Sequence, residues 1–233
     1  MYLPIVILPG YLEEAKSYIP LAESLEKLGF LTTIVPLKIY DWFPTLGGRS
    51  MIPILKKLDL TVKQVLTEYN VNKINLIGHS AGGWIARIYL GEKPYNIHGD
   101  GQENDILWGN NPYIANLITL GTPHISQERW TRKNLDFVKD HYPGAFYPNV
   151  NYICVAGKAI YGVKKWGTWL AYSSYELTIG KGDTWGDGIT PIEAAHLQGA
   201  VNLIIDNVYH SPKSKNNWYG SEEILPIWAK YLS

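Results

Sequence analysis

The chain has 233 residues, 46% of them hydrophobic and 18% charged, with a formal net charge of zero. That length supports one sizeable core, and a balanced charge without a basic block speaks against a nucleic-acid partner. The single cysteine, Cys154, excludes an intrachain disulfide and allows a reducing compartment; its apolar surroundings make it a poor nucleophile. The first ten residues lack the basic region of a signal peptide, and no apolar run approaches ~18 residues. The expectation is a soluble, cytoplasmic protein with no transmembrane segment. Nine tryptophans and seventeen tyrosines stand against four phenylalanines. Such amphipathic aromatics suit a surface or cleft that meets lipid-like ligands, and equally core filling and exposed loops.

In chain order, Pro4–Leu8 is a β-branched run that predicts a central parallel strand ending at Pro9-Gly10-Tyr11. Ala15, Ile19, Leu21, Leu25 and Leu28 fall near helical spacing, with Pro20 as break or start and Gly29 as stop. Leu31–Leu37 predicts a second strand, and residues 38–50 a loop carrying Tyr40, Trp42 and Phe43. Ile54, Leu55, Leu58, Val62, Val65, Leu66 and Tyr69 mark a long amphipathic helix. A strand over Lys73–Gly78 and a helix over Ala81–Leu90 enclose Gly78-His79-Ser80-Ala81-Gly82. Residues 91–112 are polar and rich in glycine and asparagine, which predicts a surface excursion. Tyr113–Leu120 is a strand closing on Gly121-Thr122-Pro123-His124, and residues 125–148 are irregular, with a short helix around Leu135–Asp140. Asn151–Ala156 is a strand, residues 158–185 are aromatic-rich, and Gly186-Asp187-Gly188-Ile189-Thr190-Pro191 is a turn leading to a short helix up to His196. Ala200–Ile205 is the last strand, residues 206–212 a loop, and Ser221–Leu232 a closing helix capped by Ser221.

These alternations, without repeats or linkers, predict one α/β domain over 1–233: a doubly wound, mostly parallel sheet of about six strands with helices on both faces. Residues 91–112, 125–149 and 158–185 are candidate lid or cap segments. Right-handed crossovers bring the loops after the strands to one sheet edge.

At that edge Gly-His-Ser-Ala-Gly is the G-x-S-x-G pattern in its required context of strand, sharp turn and helix. Ser80 is the candidate nucleophile, and the N-terminus of the following helix favours an oxyanion beside it. A serine hydroxyl needs a base, and the base needs a partner that fixes its tautomer. Of the six histidines, His210 lies in the loop after the last strand and can lean toward the serine. His124, at a strand end, is the rival; His79 must point elsewhere, and His98, His141 and His196 sit in less suitable places. For the acid, Asp187 lies in a glycine-flanked turn, with Asp183 and Asp206 as rivals. The resulting order, Ser80…Asp187…His210, is the α/β-hydrolase order. Ala81 N–H and a donor from Gly10-Tyr11, with Tyr11 preferred, are the candidate oxyanion hole. Trp42, Trp166 and Trp169 are candidate substrate-binding residues.

With these residues the chain resembles the α/β-hydrolase superfamily over nearly its full length. More narrowly it is similar to the lipase-like branch that includes GPI inositol-deacylase-like proteins and small bacterial triacylglycerol lipases. Ile7-Leu8-Pro9-Gly10-Tyr11, Gly78-His79-Ser80-Ala81-Gly82-Gly83, Leu120-Gly121-Thr122-Pro123-His124 and Gly186-Asp187-Gly188-Ile189-Thr190-Pro191 carry the likeness. The last is similar to the acid turn of lecithin–cholesterol acyltransferase-like enzymes. The resemblance implies hydrolysis of a carboxylic ester through an acyl-serine, a structural role for the Gly-Thr-Pro-His segment, and a chain that begins at what is usually the third strand. Pro9 departs from the histidine that many relatives carry before this glycine.

The expected activity is therefore that of a serine ester hydrolase acting on a small or lipid-like ester, with transient contact to a lipid surface. A thioesterase or acyltransferase would use the same triad, and a non-catalytic ligand-binding module of the same fold is the alternative from another class. No metal-ligand spacing or phosphate loop occurs, so neither cofactor nor metal is expected.

Overall fold

A computed structural model describes residues 2–97 and 107–232. In chain order the strands are β1 (Ile5–Leu8), β2 (Thr32–Ile34), β3 (Ile74–His79), β4 (Ile114–Leu120), β5 (Asn151–Lys158), β6 (Ile160–Tyr161), β7 (Trp185–Gly186) and β8 (Val201–Asp206). The α-helices are α1 (Ile19–Lys27), α2 (Ile52–Glu68), α3 (Ala81–Leu90), α4 (Arg129–His141), α5 (Trp169–Ile179), α6 (Ile192–Ala195) and α7 (Leu225–Ala229). Six strands form one parallel sheet in the order β2-β1-β3-β4-β5-β8, and β6 and β7 pair antiparallel beside it.

The apolar runs of the central strands follow from burial on both faces. Alternate side chains serve two cores. Val6, Leu8 and Leu76 pack with α2 and α3, whereas Ile5, Ile7 and Ile77 pack with α1 and α7. One polar row crosses this sheet. Asn151 Nδ2 donates to Asn116 Oδ1 at 2.9 Å, Asn116 Nδ2 to Asn75 Oδ1 at 2.7 Å, and Asn75 Nδ2 to the Leu232 carbonyl at 3.1 Å. The three asparagines are register partners on β3, β4 and β5. A slip of any of these strands would strand a buried amide, so the row fixes the alignment of the strands that end at the site.

Several local expectations change. The segment read as a loop at 38–50 contains a 3₁₀ helix, Ile39–Thr45. The irregular 125–148 stretch holds the thirteen-residue α4, whose N-terminus is capped by the Glu128 carboxylate accepting from Trp130 and Thr131 N–H, both at 3.0 Å. Within 158–185 lies α5, which ends at Gly180 in the left-handed conformation with φ 77°. The closing helix is only Leu225–Ala229 with a 3₁₀ turn after it; Ser221 does not cap it, because its hydroxyl accepts from Trp218 N–H at 2.9 Å instead.

Candidate active site

β3 ends at His79 and α3 begins at Ala81, so Ser80 makes the turn alone. Its φ of 52° and ψ of −124° lie where a residue with a Cβ is strained. The turn closes because its flanks are glycine: a Cβ on Gly78 would stand 2.6 Å from the Gly83 backbone, and one on Gly82 2.5 Å from the Leu8 carbonyl. Ser80 N–H donates to the Leu120 carbonyl at 2.8 Å, tying the turn to the end of β4.

Two other strand ends deliver the partners. After β8 the chain is held by Asn207 N–H to the Lys158 carbonyl at 2.9 Å, Tyr209 N–H to Asn217 at 2.8 Å and His210 N–H to the Asp187 carbonyl at 3.0 Å. These bonds swing His210 over the sheet edge. His210 Nε2 lies 2.9 Å from Ser80 Oγ, and its Nδ1 lies 2.7 Å from Asp187 Oδ2. Asp187 follows β7 in a turn whose Ile189 and Thr190 N–H groups donate to Oδ1 at 2.9 and 2.7 Å. Burial by itself would raise this carboxyl group's pKa. The charge and hydrogen bond of His210, with Tyr219 and Thr190 N–H, outweigh it and hold the pKa below the ordinary aspartate value.

Three solved structures share this architecture. A gene product of Listeria innocua is 12% identical, with 92% of this chain and 90% of that chain covered at TM-score 0.51. A protein described as a putative cell surface hydrolase from Lactobacillus plantarum is 13% identical, with 99% and 91% covered at 0.54. An alpha-beta serine hydrolase homologue from Coxiella burnetii is 14% identical, with 99% and 83% covered at 0.51. The chain has the α/β-hydrolase fold. Residues 43–139 also match the family described as "Putative serine esterase (DUF676)", a span that includes Ser80 but neither Asp187 nor His210. No curated protein matches by sequence.

A cavity of about 330 Å³ opens beside Ser80, lined among others by Tyr11, Met51, Ala81, Trp84, Pro123 and Trp130. Of the expected oxyanion donors, Ala81 is the first residue of α3, where an N–H has no acceptor within the helix. Gly10 N–H is already committed to the Tyr18 hydroxyl at 2.9 Å and so is not a free donor of that loop. The loop presses on the turn, since a Cβ on Gly10 would sit 3.1 Å from Ser80 Cβ.

The remaining expected residues lie elsewhere. Trp42 is buried beside the Gly10-Tyr11 loop, edge-on to Tyr11 at 5.3 Å, with Nε1–H donating to the Glu13 carbonyl at 3.0 Å. Trp166 and Trp169 line a separate concavity of about 640 Å³ with Lys164, Lys165, Gly167 and Leu170. His124 is buried, its ring nitrogens near Arg87 Nη1 at 3.3 Å, Thr119 Oγ1 at 3.4 Å and Cys154 Sγ at 3.5 Å. His141 Nδ1 bonds the Phe137 carbonyl at 2.9 Å, and His98 lies outside the described residues. The Asp183 carbonyl accepts from Tyr161, and Asp206 pairs with Lys158 at 3.3 Å. Burial pushes the Cys154 thiol up to about 11. Among the described residues no three His, Cys, Asp or Glu side chains converge as metal ligands.

Sequence reading missed Tyr219 and Tyr18. The Tyr219 hydroxyl donates to Asp187 Oδ2 at 2.6 Å, and the Tyr18 hydroxyl lies 2.7 Å from His79 Nδ1. Neither tyrosine sits in a motif, and seventeen tyrosines in the chain leave nothing to single out two.

Proposed function

We propose that this protein of α/β-hydrolase fold is a serine ester hydrolase, esterase- or lipase-like, that cleaves a carboxylic ester through an acyl-serine intermediate. The carrying observation is the continuous line from Ser80 Oγ through the His210 ring to Asp187, at 2.9 and 2.7 Å. Ser80 Oγ attacks the ester carbonyl carbon as its proton passes to His210 Nε2, and the carbonyl electron pair moves onto oxygen. Ala81 and Tyr11 N–H receive that oxyanion. The C–O bond to the alcohol breaks as Nε2–H protonates the departing oxygen. Water, giving its proton to the same nitrogen, then adds to the acyl group and releases the acid and Ser80. Asp187 fixes the Nδ1–H tautomer and stabilises the transient imidazolium.

Met51, Trp84, Pro123 and Trp130 make the cavity beside Ser80 predominantly apolar, which supports an apolar acyl group. A thioester or an acyl acceptor other than water would use the same atoms, so competition between oxygen and sulfur esters with added alcohols separates these readings. Within the single domain, segments 125–149 and 158–185 are assigned as cap or lid elements; residues 98–106 of the third candidate, 91–112, lie outside the described residues. Trp166, Trp169 and Leu170, at 101%, 56% and 74% exposure, support contact of the last segment with a lipid surface.

The test is labelling with a fluorophosphonate followed by peptide mass spectrometry. Modification at Ser80 is expected, and its loss in His210→Ala. Folded protein that stays unlabelled while binding apolar ligands would favour the non-catalytic binding module.

A further inference from the structure

We infer that His79 is a positioning residue: a neutral imidazole that locks the Gly10-Tyr11 loop and the His210 loop to one another across Ser80. This rests on the serine-hydrolase reading above. The direction of the hydrogen bonds is dictated at both ends. Gly10 N–H can only donate, and it reaches the Tyr18 oxygen at 2.9 Å. The His210 carbonyl can only accept, and it lies 2.9 Å from His79 Nε2. Nε2 must therefore carry the ring proton, and the bare Nδ1 accepts the Tyr18 O–H at 2.7 Å. One arrangement of protons satisfies the whole row.

A charged His79 would break the row. With a proton on Nδ1, the Tyr18 O–H would lose its acceptor. The cation would also stand 4.9 Å, ring to ring, from His210, which itself turns cationic in each acyl-transfer step. The groups that face His79 are Tyr18, His210, Trp218 and Tyr219, with Asp187 behind His210. Only 2% of His79 is exposed, and burial with the nearby His210 pushes its pKa down to about 3. The ring also abuts the oxyanion loop, since a Cβ on Gly10 would lie 3.0 Å from Nδ1. One side chain, adjacent in sequence to the nucleophile, thus sets where the oxyanion donor and the base stand relative to it. Its loss should impair transition-state placement and leave the acyl cavity untouched.

Two readouts test this. Ring-nitrogen spectra of ¹⁵N-histidine-labelled protein, taken from about pH 4 to about pH 8 around the ordinary histidine range, need no turnover. The buried His79 and His124 should both stay neutral throughout, and the signals that vanish in His79→Phe and His79→Gln should be those of a ring with its proton on Nε2. A His79 ring that titrates in that range, or carries its proton on Nδ1, overturns the inference. Steady-state kinetics on a soluble nitrophenyl ester form the second readout. Tyr18→Phe and His79→Phe should each lower kcat by roughly tenfold or more, since each disturbs an oxyanion donor, with KM unchanged. The double variant should be no worse than His79→Phe, and His79→Gln, which keeps a donor for the His210 carbonyl, should recover part of the loss. Folded variants with wild-type kcat also overturn it. If His79→Phe fails to fold, Tyr18→Phe and His79→Gln carry the kinetics. Wild-type protein that neither turns over esters nor reacts with fluorophosphonate defeats the hydrolase reading instead, and the nitrogen spectra still decide the tautomer lock.

Discussion

The Tyr219 hydroxyl and the His210 ring share one oxygen of Asp187: Tyr219 Oη lies 2.6 Å from Oδ2 and His210 Nδ1 2.7 Å from it. Tyr219 in turn accepts from Gly157 N–H at 2.9 Å, so its proton is committed to the carboxylate. Burial, with the Asp187 charge, pushes the Tyr219 pKa well above the ordinary tyrosine value and keeps that donor in place. Four donors surround a carboxylate that is 1% exposed, which is how a buried charge is tolerated without solvent.

Tyr219→Phe removes one of those donors and leaves Gly157 N–H unpaired. Stability should fall by about 1–3 kcal/mol, the cost of an unsatisfied buried group. The Asp187 pKa should rise, and kcat should drop while KM holds. Urea melts and a kcat–pH profile on the same preparation check both; an unchanged profile would mean that Tyr219 only fills space.

Asp187→Asn keeps the shape of the turn and removes the charge that holds the Nδ1–H tautomer. The expected loss is about 10⁴-fold in kcat, as for the acid of a hydrolytic triad. Ser80 labelling by fluorophosphonate should slow in parallel. A variant that labels at the wild-type rate would show that another group orients His210.

The sheet, and the convergence of Ser80, Asp187 and His210, were legible because their signals are local. β-branched runs at Pro4–Leu8 and Asn151–Ala156 are strands buried on both faces, and the glycines around Ser80 announce a turn that only glycine permits. What escaped depends on distance along the chain. Only the second half of α4 was expected, as a short helix around Leu135–Asp140; its first turns are polar, and the buried stripe is thin, at Asn134, Leu135, Phe137 and Val138. In α5 only Ala171 and Tyr175 are buried, so no apolar periodicity marks it. The asparagine row joins positions 75, 116 and 151, each an unremarkable polar residue in its own strand. His79 could be set aside as the base from its place before Ser80, but its partners, Tyr18 and the His210 carbonyl, become adjacent only in the folded chain.

That row gives a stability prediction remote from the chemistry. Asn116 is the middle member, donating to Asn75 and accepting from Asn151. Asn116→Ala orphans a buried acceptor on Asn75 and a donor on Asn151, so the loss should be about 1–3 kcal/mol, as for other unsatisfied buried groups. Thermal melts read it. The kcat of the folded variant should stay near wild type, because the row lies at the strand starts and Ser80 beyond the strand ends.

Acid should destabilise the fold earlier than the triad alone suggests. The His79 pKa falls from the ordinary 6.5 to about 3 in the folded chain, and that of His124 falls well below 6.5, in both cases chiefly through burial. A depressed pKa means that the unfolded chain binds the proton first. The stability these neutral rings contribute is complete above pH 6.5 and is lost as pH falls from there toward about 3. Asp187, held below 3.8, adds its own loss only beneath that value. Urea midpoints should therefore decline from pH 6.5 downward, and His79→Gln should flatten the slope. A midpoint constant down to pH 4.5, roughly two units below the histidine range, would contradict the neutral assignment.

The aromatic residues divide into two groups with different expected phenotypes. Trp84 and Met51 line the cavity beside Ser80, whereas Trp166 and Trp169 line the concavity flanked by Lys164 and Lys165. Trp84→Ala enlarges the space available to the acyl group and should shift preference on soluble esters toward longer chains. Trp166→Ala and Trp169→Ala should leave that preference alone, because neither ring lines the Ser80 cavity. They should instead weaken binding to phospholipid vesicles, since a fully exposed indole beside two lysines is suited to a lipid interface. Vesicle co-sedimentation of Ser80→Ala protein, with and without the tryptophan changes, measures the second effect without turnover. A changed chain-length profile in Trp166→Ala, with vesicle binding intact, would assign that segment to the substrate and not to the surface.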